Sequence, residues 1–176
     1  GDEVGLDVLH HIAHFILGKE TGDWAQDRYG SVTALLDQLI ANRRFGRKTG
    51  RGFYVYPERD PKHLDLADLA ARAGRARQQP TRARLEERLL YAQLVEAAHC
   101  WAEGVTTDAG EIDLGAVLGW AFPAYLGGPA SAIDEIGARV FVERCDGLCR
   151  ELGLRFTPPA RLRDAAATDF RFHAKA

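Results

Sequence analysis

The sequence contains no methionine and only three cysteines, at Cys100, Cys145 and Cys149. Proteins that rely on disulfides for their stability carry a denser set than three cysteines in 176 residues. Because the number is also odd, the sequence is not typical of a disulfide scaffold, and we expect a reducing compartment, the cytoplasm. The missing methionine and the opening Gly-Asp-Glu lead us to expect an excised or processed piece of a longer protein.

Long apolar runs are absent as well. No stretch approaches the roughly 18–20 apolar residues that cross a bilayer, and the first residues lack the basic-then-apolar pattern of a signal peptide. The formal net charge is −2, from 23 basic and 25 acidic side chains. This balance supplies no global positive field to collect phosphates, which argues against a nucleic-acid-binding protein. A composition of 46% hydrophobic and 27% charged residues is typical of a soluble globular domain.

Alternation of the kind that builds a sheet of several strands is also missing, whereas helical periodicity is present along most of the chain. Apolar residues recur every three or four positions in the first segment, at Val4, Val8, Ile12, Phe15 and Ile16. Further helices are expected from Ser31 to about Gly46, within 63–84, from Thr81 to Gly104, from Asp108 to Gly119, up to Gly137, over 140–152 and after Pro159. Ser31, Thr81 and Asp108 are predicted to be the N-caps of their helices. Only the aromatic segment 53–56 favours an extended backbone. The sequence predicts an all-α fold.

One short pattern occurs twice. Asp2-Glu-Val-Gly-x-x-Val8 returns as Asp134-Glu-Ile-Gly-x-x-Val140, at an offset of 132 residues, and a helix is expected after each. Self-similarity at a fixed spacing is typical of a duplicated structural unit. We therefore predict a first helical copy over 1–56, truncated at its N-terminus, a connector over 57–84 and a second copy over 85–176.

Several motifs together resemble the C-terminal domain of 3-hydroxyacyl-CoA dehydrogenases. In the second copy they are Leu89-Leu90, Val95-Glu-Ala97, Glu103-Gly104, Ile112-Asp113, Phe122-Pro123, Gly127-Gly-Pro129 and Asp134-x-x-Gly137. In the first copy, the segment from Gly46 to Tyr54 resembles the closing segment of that domain. Two tandem copies are the pattern of the multifunctional fatty-acid oxidation α-subunit. The chain departs from the family at Ala121, where glycine is common, and at Phe170-Arg-Phe172, which stands where Gly-Phe-Tyr is expected.

The resemblance implies a fold like the C-terminal domain of 6-phosphogluconate dehydrogenase and a role in fatty-acid β-oxidation. In this family, an upstream Rossmann domain binds NAD and holds a catalytic His–Glu pair. The implied partners are that domain, an upstream enoyl-CoA hydratase domain, a thiolase subunit and the acyl-CoA substrate. The resemblance also implies that the two copies pack together as two subunits do in single-copy relatives.

None of the family's catalytic or cofactor-binding residues can be placed on this chain. No Gly-x-Gly-x-x-Gly turn follows a predicted strand, and the family's assisting asparagine would precede residue 1. Its counterpart in the second copy falls near Glu87-Arg88, so that copy is expected to be non-catalytic. We therefore expect this chain to be inactive alone.

Five cations lie within nine residues of the Gly-rich loop: Arg43, Arg44, Arg47, Lys48 and Arg51. Such a loop could clamp an anion, such as the phosphates of coenzyme A or of a dinucleotide, or it could dock on an acidic neighbour. Both readings stay open, and the three candidates for a substrate-adjacent or docking role are Arg47, Lys48 and Arg51. A second arginine-rich set is expected to form a solvated helix face; it comprises Arg72, Arg75, Arg77, Arg82 and Arg84.

His10 and His14 have the i, i+4 spacing that zinc ligands use on a helix. A metalloprotease would need glutamate at position 11, where the chain has His11, and no third ligand is evident. We therefore expect no metal site. Cys145 and Cys149 share the same spacing and are expected to be buried, small apolar side chains.

The loop from Trp120 to Pro129 is expected to be structural in the second copy, although it would border the acyl cleft in the first. Two other function classes remain open. The chain could be a non-catalytic helical assembly or interaction module. It could also belong to a related two-domain dehydrogenase with another hydroxy-acid substrate.

Overall fold

The computed structural model describes residues 1–19, 23–73 and 80–173, with the side chains of all of these except residues 23–28, 66 and 73. The chain divides into two compact units, Gly1–Gln79 (unit 1) and Pro80–Ala176 (unit 2). In the described part of the chain, strand structure is confined to one two-stranded ladder, so the all-α prediction is confirmed. The helices found there are too short or too polar to cross a membrane.

Unit 1 contains helices α1 (Leu6–Lys19), α2 (Asp23–Ala41) and α3 (Leu66–Ala73). Strands β1 (Tyr54–Val55) and β2 (His63–Leu64) form the antiparallel ladder, with Tyr54 opposite Leu64 and Val55 opposite His63. A 3₁₀ turn, Arg47–Thr49, lies in the Gly-rich loop. Thus β2 and α3, which lie within the predicted connector, belong to unit 1.

The core of unit 1 is small and is built where α1 packs on α2. Its buried members are Leu6, Leu36 and Leu39, with Leu9 and Phe53 among the half-buried side chains packed on them. The helix predicted from the apolar spacing of this segment is confirmed, although Val4, Val8, Ile12 and Phe15, which carry that spacing, are exposed.

Helix α2 begins at Asp23, so the predicted N-cap at Ser31 is wrong. Ser31 lies inside the helix because helical backbone continues through Gly30. The nearby Thr33 hydroxyl donates to the carbonyls of Gly30 (2.9 Å) and Tyr29 (3.2 Å), as hydroxyl side chains do within helices rather than at their starts.

Unit 2 consists of α4 (Arg82–Ala102), α5 (Ala109–Trp120), α6 (Pro129–Ile136), α7 (Ala138–Leu152) and α8 (Ala160–Ala165). Two predicted N-caps are confirmed by their geometry. The Thr81 hydroxyl accepts from the amide of Arg84 (3.2 Å), and Asp108 accepts from the amide of Glu111 (2.9 Å). These short polar residues satisfy amides that the first helical turn leaves without partners.

The core of unit 2 is larger and continuous. Helix α4 buries Leu94, Val95 and Ala98, whereas Leu85 and Leu89, at the start of the same predicted stripe, are exposed. The buried residues of this core also come from every other helix of the unit: they include Ile112, Ile133, Phe141, Cys145, Leu148 and Leu162.

The backbone turns into the left-handed region at the ends of α4 and α5. Gly104 has φ 77°, which glycine adopts without steric cost. Ala121 has φ 61° and caps α5, and its amide donates to the carbonyl of Ala116. Glycine is common at this position in the family that the sequence resembles, and alanine here places a Cβ where the backbone disfavours one.

We predict that Leu94→Ala lowers the free energy of unfolding by roughly 2–4 kcal/mol, because it opens a cavity in a fully packed core. Leu89→Ala is the matched control, since Leu89 is 69% exposed on the same helix, and should cost less than about 0.5 kcal/mol. Urea unfolding followed by circular dichroism measures both. Equal losses in the two variants would contradict the assignment of the buried face.

Ala121→Gly should stabilise the protein by about 0.5–1 kcal/mol. Relief of the left-handed strain, about 1–2 kcal/mol, outweighs the greater entropy of glycine in the unfolded chain. The comparison variant is Gly104→Ala, where an added Cβ meets nothing within 4 Å, so that backbone strain alone should destabilise it by about 1 kcal/mol. A loss of stability in Ala121→Gly, measured by thermal unfolding, would refute this account.

Candidate functional site

The Gly-rich loop of unit 1 folds around one buried carboxylate, that of Asp2. This side chain, in a residue only 7% exposed, accepts from the backbone amides of Phe53 (2.9 Å) and Tyr54 (2.8 Å). The Tyr56 hydroxyl donates to the same carboxylate at 3.2 Å, and burial beside Asp2 raises the pKa of Tyr56. These donors compensate the cost of burying a charged group.

Two glycines are required by the closeness of this approach. A Cβ at Gly46 would lie 2.3 Å from the carbonyl oxygen of Asp2, and one at Gly52 would lie 2.4 Å from its Oδ1. Gly46 also has φ 100°, which other residues rarely adopt. The glycines therefore let the loop backbone pass directly over Asp2.

Arg44 fixes the other side of the loop. Its side chain is 2% exposed and donates to the Gly52 carbonyl through Nε (2.8 Å) and Nη2 (2.5 Å). A third nitrogen pairs with Asp68 on α3, which also accepts from Arg72. The hydrogen bond from Arg72 lowers the pKa of Asp68. Arg44 is therefore a structural link from the loop to α3 and is not available to a ligand.

The three cations predicted as substrate-adjacent or docking candidates lie on this one loop, and each is engaged by a carboxylate of unit 1. Arg47 pairs with Glu3 (3.1 Å), Lys48 with Asp7 (2.6 Å) and Arg51 with Asp65. These pairs lower the pKa values of Asp7 and Asp65. The three cations are about half exposed or more, so their ion pairs are weak. An anion that bound to this loop would nevertheless have to displace the carboxylates first.

Unit 2 also contains a buried aspartate that accepts hydrogen bonds from two successive backbone amides. The buried carboxylate of Asp134 accepts from two successive amides, those of Phe172 (2.7 Å) and His173 (2.8 Å). In the pattern that occurs twice in the sequence, Asp134 stands at the position of Asp2. Asp134 holds Phe172-His173 as Asp2 holds Phe53-Tyr54, one residue later than the segment Phe170-Arg-Phe172 that the sequence set against Gly-Phe-Tyr.

Comparisons with known proteins found similarity to one domain family and to several longer proteins. Residues 1–56 match the family described as 3-hydroxyacyl-CoA dehydrogenase, C-terminal domain. The match covers Asp2, helices α1 and α2 and the whole Gly-rich loop, and it ends one residue after β1.

Similarity to longer proteins extends through both units. The chain is 35% identical over 98% of its length to the fatty acid oxidation complex subunit alpha of Shewanella amazonensis. It is 34% identical over 97% and 99% of its length to the corresponding subunits of Shewanella halifaxensis and Shewanella frigidimarina. The chain spans only about a quarter of the length of these relatives.

A second carboxylate in unit 2 holds the loop from Trp120 to Pro129 in place. Asp113 accepts from the amides of Ala130 (2.6 Å) and Ser131 (3.1 Å), at the N-terminus of α6, and from the Ser131 hydroxyl (2.6 Å). His173 approaches the same carboxylate at 2.9 Å. The contacts of Asp113 show a capping carboxylate that the Ile112-Asp113 motif alone did not reveal.

Of the two cysteines expected to be buried, only Cys145 is; Cys149 is half-buried, and its sulfur contacts the Thr157 hydroxyl at 3.3 Å. Burial raises the pKa of the Cys145 thiol to about 12 and also raises the pKa of Cys100. The thiols of Cys100 and Cys145 therefore hold their protons near neutral pH and are poor nucleophiles.

The arginine set predicted as a solvated face is only partly one. Arg82 is exposed, but Arg84 is half-buried between Glu87 and Glu151. Arg72 is held by Asp68 as described above, and residues 75 and 77 lie outside the described part of the chain.

The histidines of α1 meet a partner that sequence spacing did not indicate. His10 Nε2 and His14 Nε2 each lie 2.8 Å from Oδ1 of Asp37 on α2. The two rings lie 4.5 Å apart between centroids, and their hydrogen bonds lower the pKa of Asp37. His11 instead bonds through Nδ1 to the carbonyl of Asp7.

We predict that Asp2→Asn destabilises unit 1 by about 1–3 kcal/mol, because an amide nitrogen would face a backbone N–H and leave it unsatisfied. Hydrogen exchange should accelerate at the amides of Phe53 and Tyr54. Glu3→Gln, which alters an exposed neighbour, should change stability by less than about 1 kcal/mol. Unchanged exchange at both amides in Asp2→Asn would refute the role assigned to this carboxylate.

Proposed function

We propose that this chain is the helical C-terminal part of an NAD-dependent 3-hydroxyacyl-CoA dehydrogenase of fatty-acid β-oxidation, located in the cytoplasm and inactive alone. The observation that carries the proposal is the match of residues 1–56 to that enzyme's C-terminal domain, together with similarity to fatty acid oxidation alpha subunits along nearly the whole chain. The parent reaction oxidises a 3-hydroxyacyl-CoA to the 3-ketoacyl-CoA while NAD accepts a hydride.

The described residues do not fit NAD itself. A dinucleotide site needs a strand, a Gly-x-Gly-x-x-Gly turn and the N-terminus of a helix. The strands described here are two residues long, and no turn of that pattern follows either one. NAD and the proton-accepting histidine are therefore proposed to belong to an upstream Rossmann domain, and no chemical step is assigned to this chain.

The part assigned to this chain is one wall of the acyl-CoA cleft. A groove of about 790 Å³ runs between α1 and α2 and is lined chiefly by apolar side chains, Ile12, Ile16, Val32 and Leu35 among them. A fatty acyl chain is an apolar ligand, and burial against such a surface would favour binding. The groove and the exposed Val8 and Phe15 also suit packing against a further domain of the parent protein.

The aspartate–amide contact that occurs in both units supports the predicted duplication. In both units a buried aspartate holds two successive amides of a Phe-containing segment that follows it in the chain. We propose that residues 1–56 and 85–176 are two copies of one helical domain. The second copy would be non-catalytic, because Glu87 is occupied by Arg84 and Arg144.

The partners proposed for the parent protein are its Rossmann and enoyl-CoA hydratase domains, a thiolase subunit and the acyl-CoA substrate. The loop cations Arg47, Lys48 and Arg51 are proposed to serve docking within that assembly rather than to clamp phosphate. The ion pairs described above support this choice, since each cation is already neutralised by its own unit.

A chimera tests the proposal. This chain replaces the corresponding quarter of the Shewanella amazonensis subunit, and reduction of NAD by a long-chain 3-hydroxyacyl-CoA is measured. The chimera should be active and the isolated chain inactive. Ile12→Asp in the groove should raise KM by about tenfold or more, because a charge meets the acyl chain. Leu89→Asp, on an exposed position of α4, should leave KM unchanged.

Two results would count against the proposal. A folded chimera without dehydrogenase activity would favour a helical assembly module with no substrate. An active chimera whose KM is indifferent to Ile12→Asp would remove the groove from the acyl-binding surface.

A further inference from the structure

Three side chains with metal-binding atoms converge on the surface of unit 1. His10 and His14 lie one turn apart on α1, and Asp37 faces them from α2. One ligating atom of each residue lies within 4.8 Å of the other two. Because the three groups come from two helices, packing of α1 on α2 determines their arrangement.

The geometry is close to that of an open tetrahedral site. Zinc binds imidazole nitrogen and carboxylate oxygen at about 2.0–2.2 Å, which places neighbouring ligand atoms about 3.3 Å apart in a tetrahedron. Each imidazole Nε2 lies 2.8 Å from Asp37 Oδ1, so each of these two nitrogen–oxygen distances needs to lengthen by only about half an ångström.

The protonation chemistry also suits a cation. In the metal-free form each Nε2–H donates to the ionised carboxylate of Asp37. When a cation binds, the proton of each neutral imidazole moves to Nδ1, and Nε2 presents its lone pair to the metal. The carboxylate supplies a negative charge, and His14 and Asp37 are exposed enough for water to complete the coordination.

We propose that His10, His14 and Asp37 bind a divalent transition-metal ion of the zinc class. The sequence alone favoured no metal because it offered two ligands, and folding supplies the third. Two imidazoles and one carboxylate with a position left for water match the ligand types of zinc sites that remain open. The ion would link α1 to α2 directly and so stabilise unit 1.

Zn²⁺ titration of the 176-residue chain by calorimetry tests this proposal. One ion should bind per chain at this site, and excess Zn²⁺ should raise the melting temperature. His14→Gln and Asp37→Asn should each weaken binding by about tenfold or more, since loss of even an outer-shell partner costs about 10–100-fold. Neither substitution should abolish folding, because both side chains are largely exposed.

His11→Gln is the matched control. It removes a histidine from the same helix whose ring bonds to a backbone carbonyl instead of Asp37, so Zn²⁺ affinity should not change. Paramagnetic Co²⁺ provides a residue-level measurement, because it should shift the ring protons of His10 and His14 selectively. Absence of Zn²⁺ binding, or equal affinity in the wild type and His14→Gln, would overturn the proposal. Failure of the dehydrogenase chimera would leave these results unaffected.

Discussion

The structure of unit 1 depends on one carboxylate near the start of the chain. Asp2 binds two successive amides more than fifty residues away, and this contact brings the Gly-rich loop back onto the segment that leads into α1. Removing the carboxylate would leave buried amides without partners, a larger penalty than the loss of an ordinary exposed hydrogen bond. The glycines at 46 and 52 are consequences of the same contact, because a side chain at either position would occupy the space of Asp2.

The same constraint recurs in unit 2, where Asp134 holds Phe172 and His173. The two segments differ in sequence, since Gly-Phe-Tyr in one is Arg-Phe-His in the other. A backbone amide is the same group whatever side chain it carries, so this contact does not require the two segments to share a sequence. Only phenylalanine is shared, and in each unit it packs against the hydrophobic core. If the two units are copies of one domain, as proposed, these hydrogen bonds define their register better than the residue identities do.

Features determined by neighbouring residues could be predicted from the sequence. The caps at Thr81 and Asp108 depend on amides three residues away, and both were predicted correctly. The buried role of Arg44 depends on Gly52 and on Asp68, which the sequence places 8 and 24 residues away, so spacing suggested an anion clamp or a docking loop instead. The sequence did not indicate Asp37 as a third metal ligand for the same reason. Its carboxylate lies beside His10 and His14 only because α2 packs on α1. Long-range pairing, rather than local propensity, marks the limit of the prediction.

Helix α1 shows why helical spacing alone does not identify a buried face. Nearly the whole circumference of this helix has a role: Leu6 and Leu9 pack on α2, Ile12 and Phe15 lie toward the exposed apolar side, and His10 contacts a carboxylate. A helix with two apolar faces has no single apolar stripe, so its spacing predicts the helix and not the side that the core covers. The apolar face that the small core leaves uncovered lies beside the groove, which is where the proposed function places a fatty acyl chain or a neighbouring domain. The exposure of this face and the proposed function thus have the same origin, namely that α1 carries more apolar surface than unit 1 can bury.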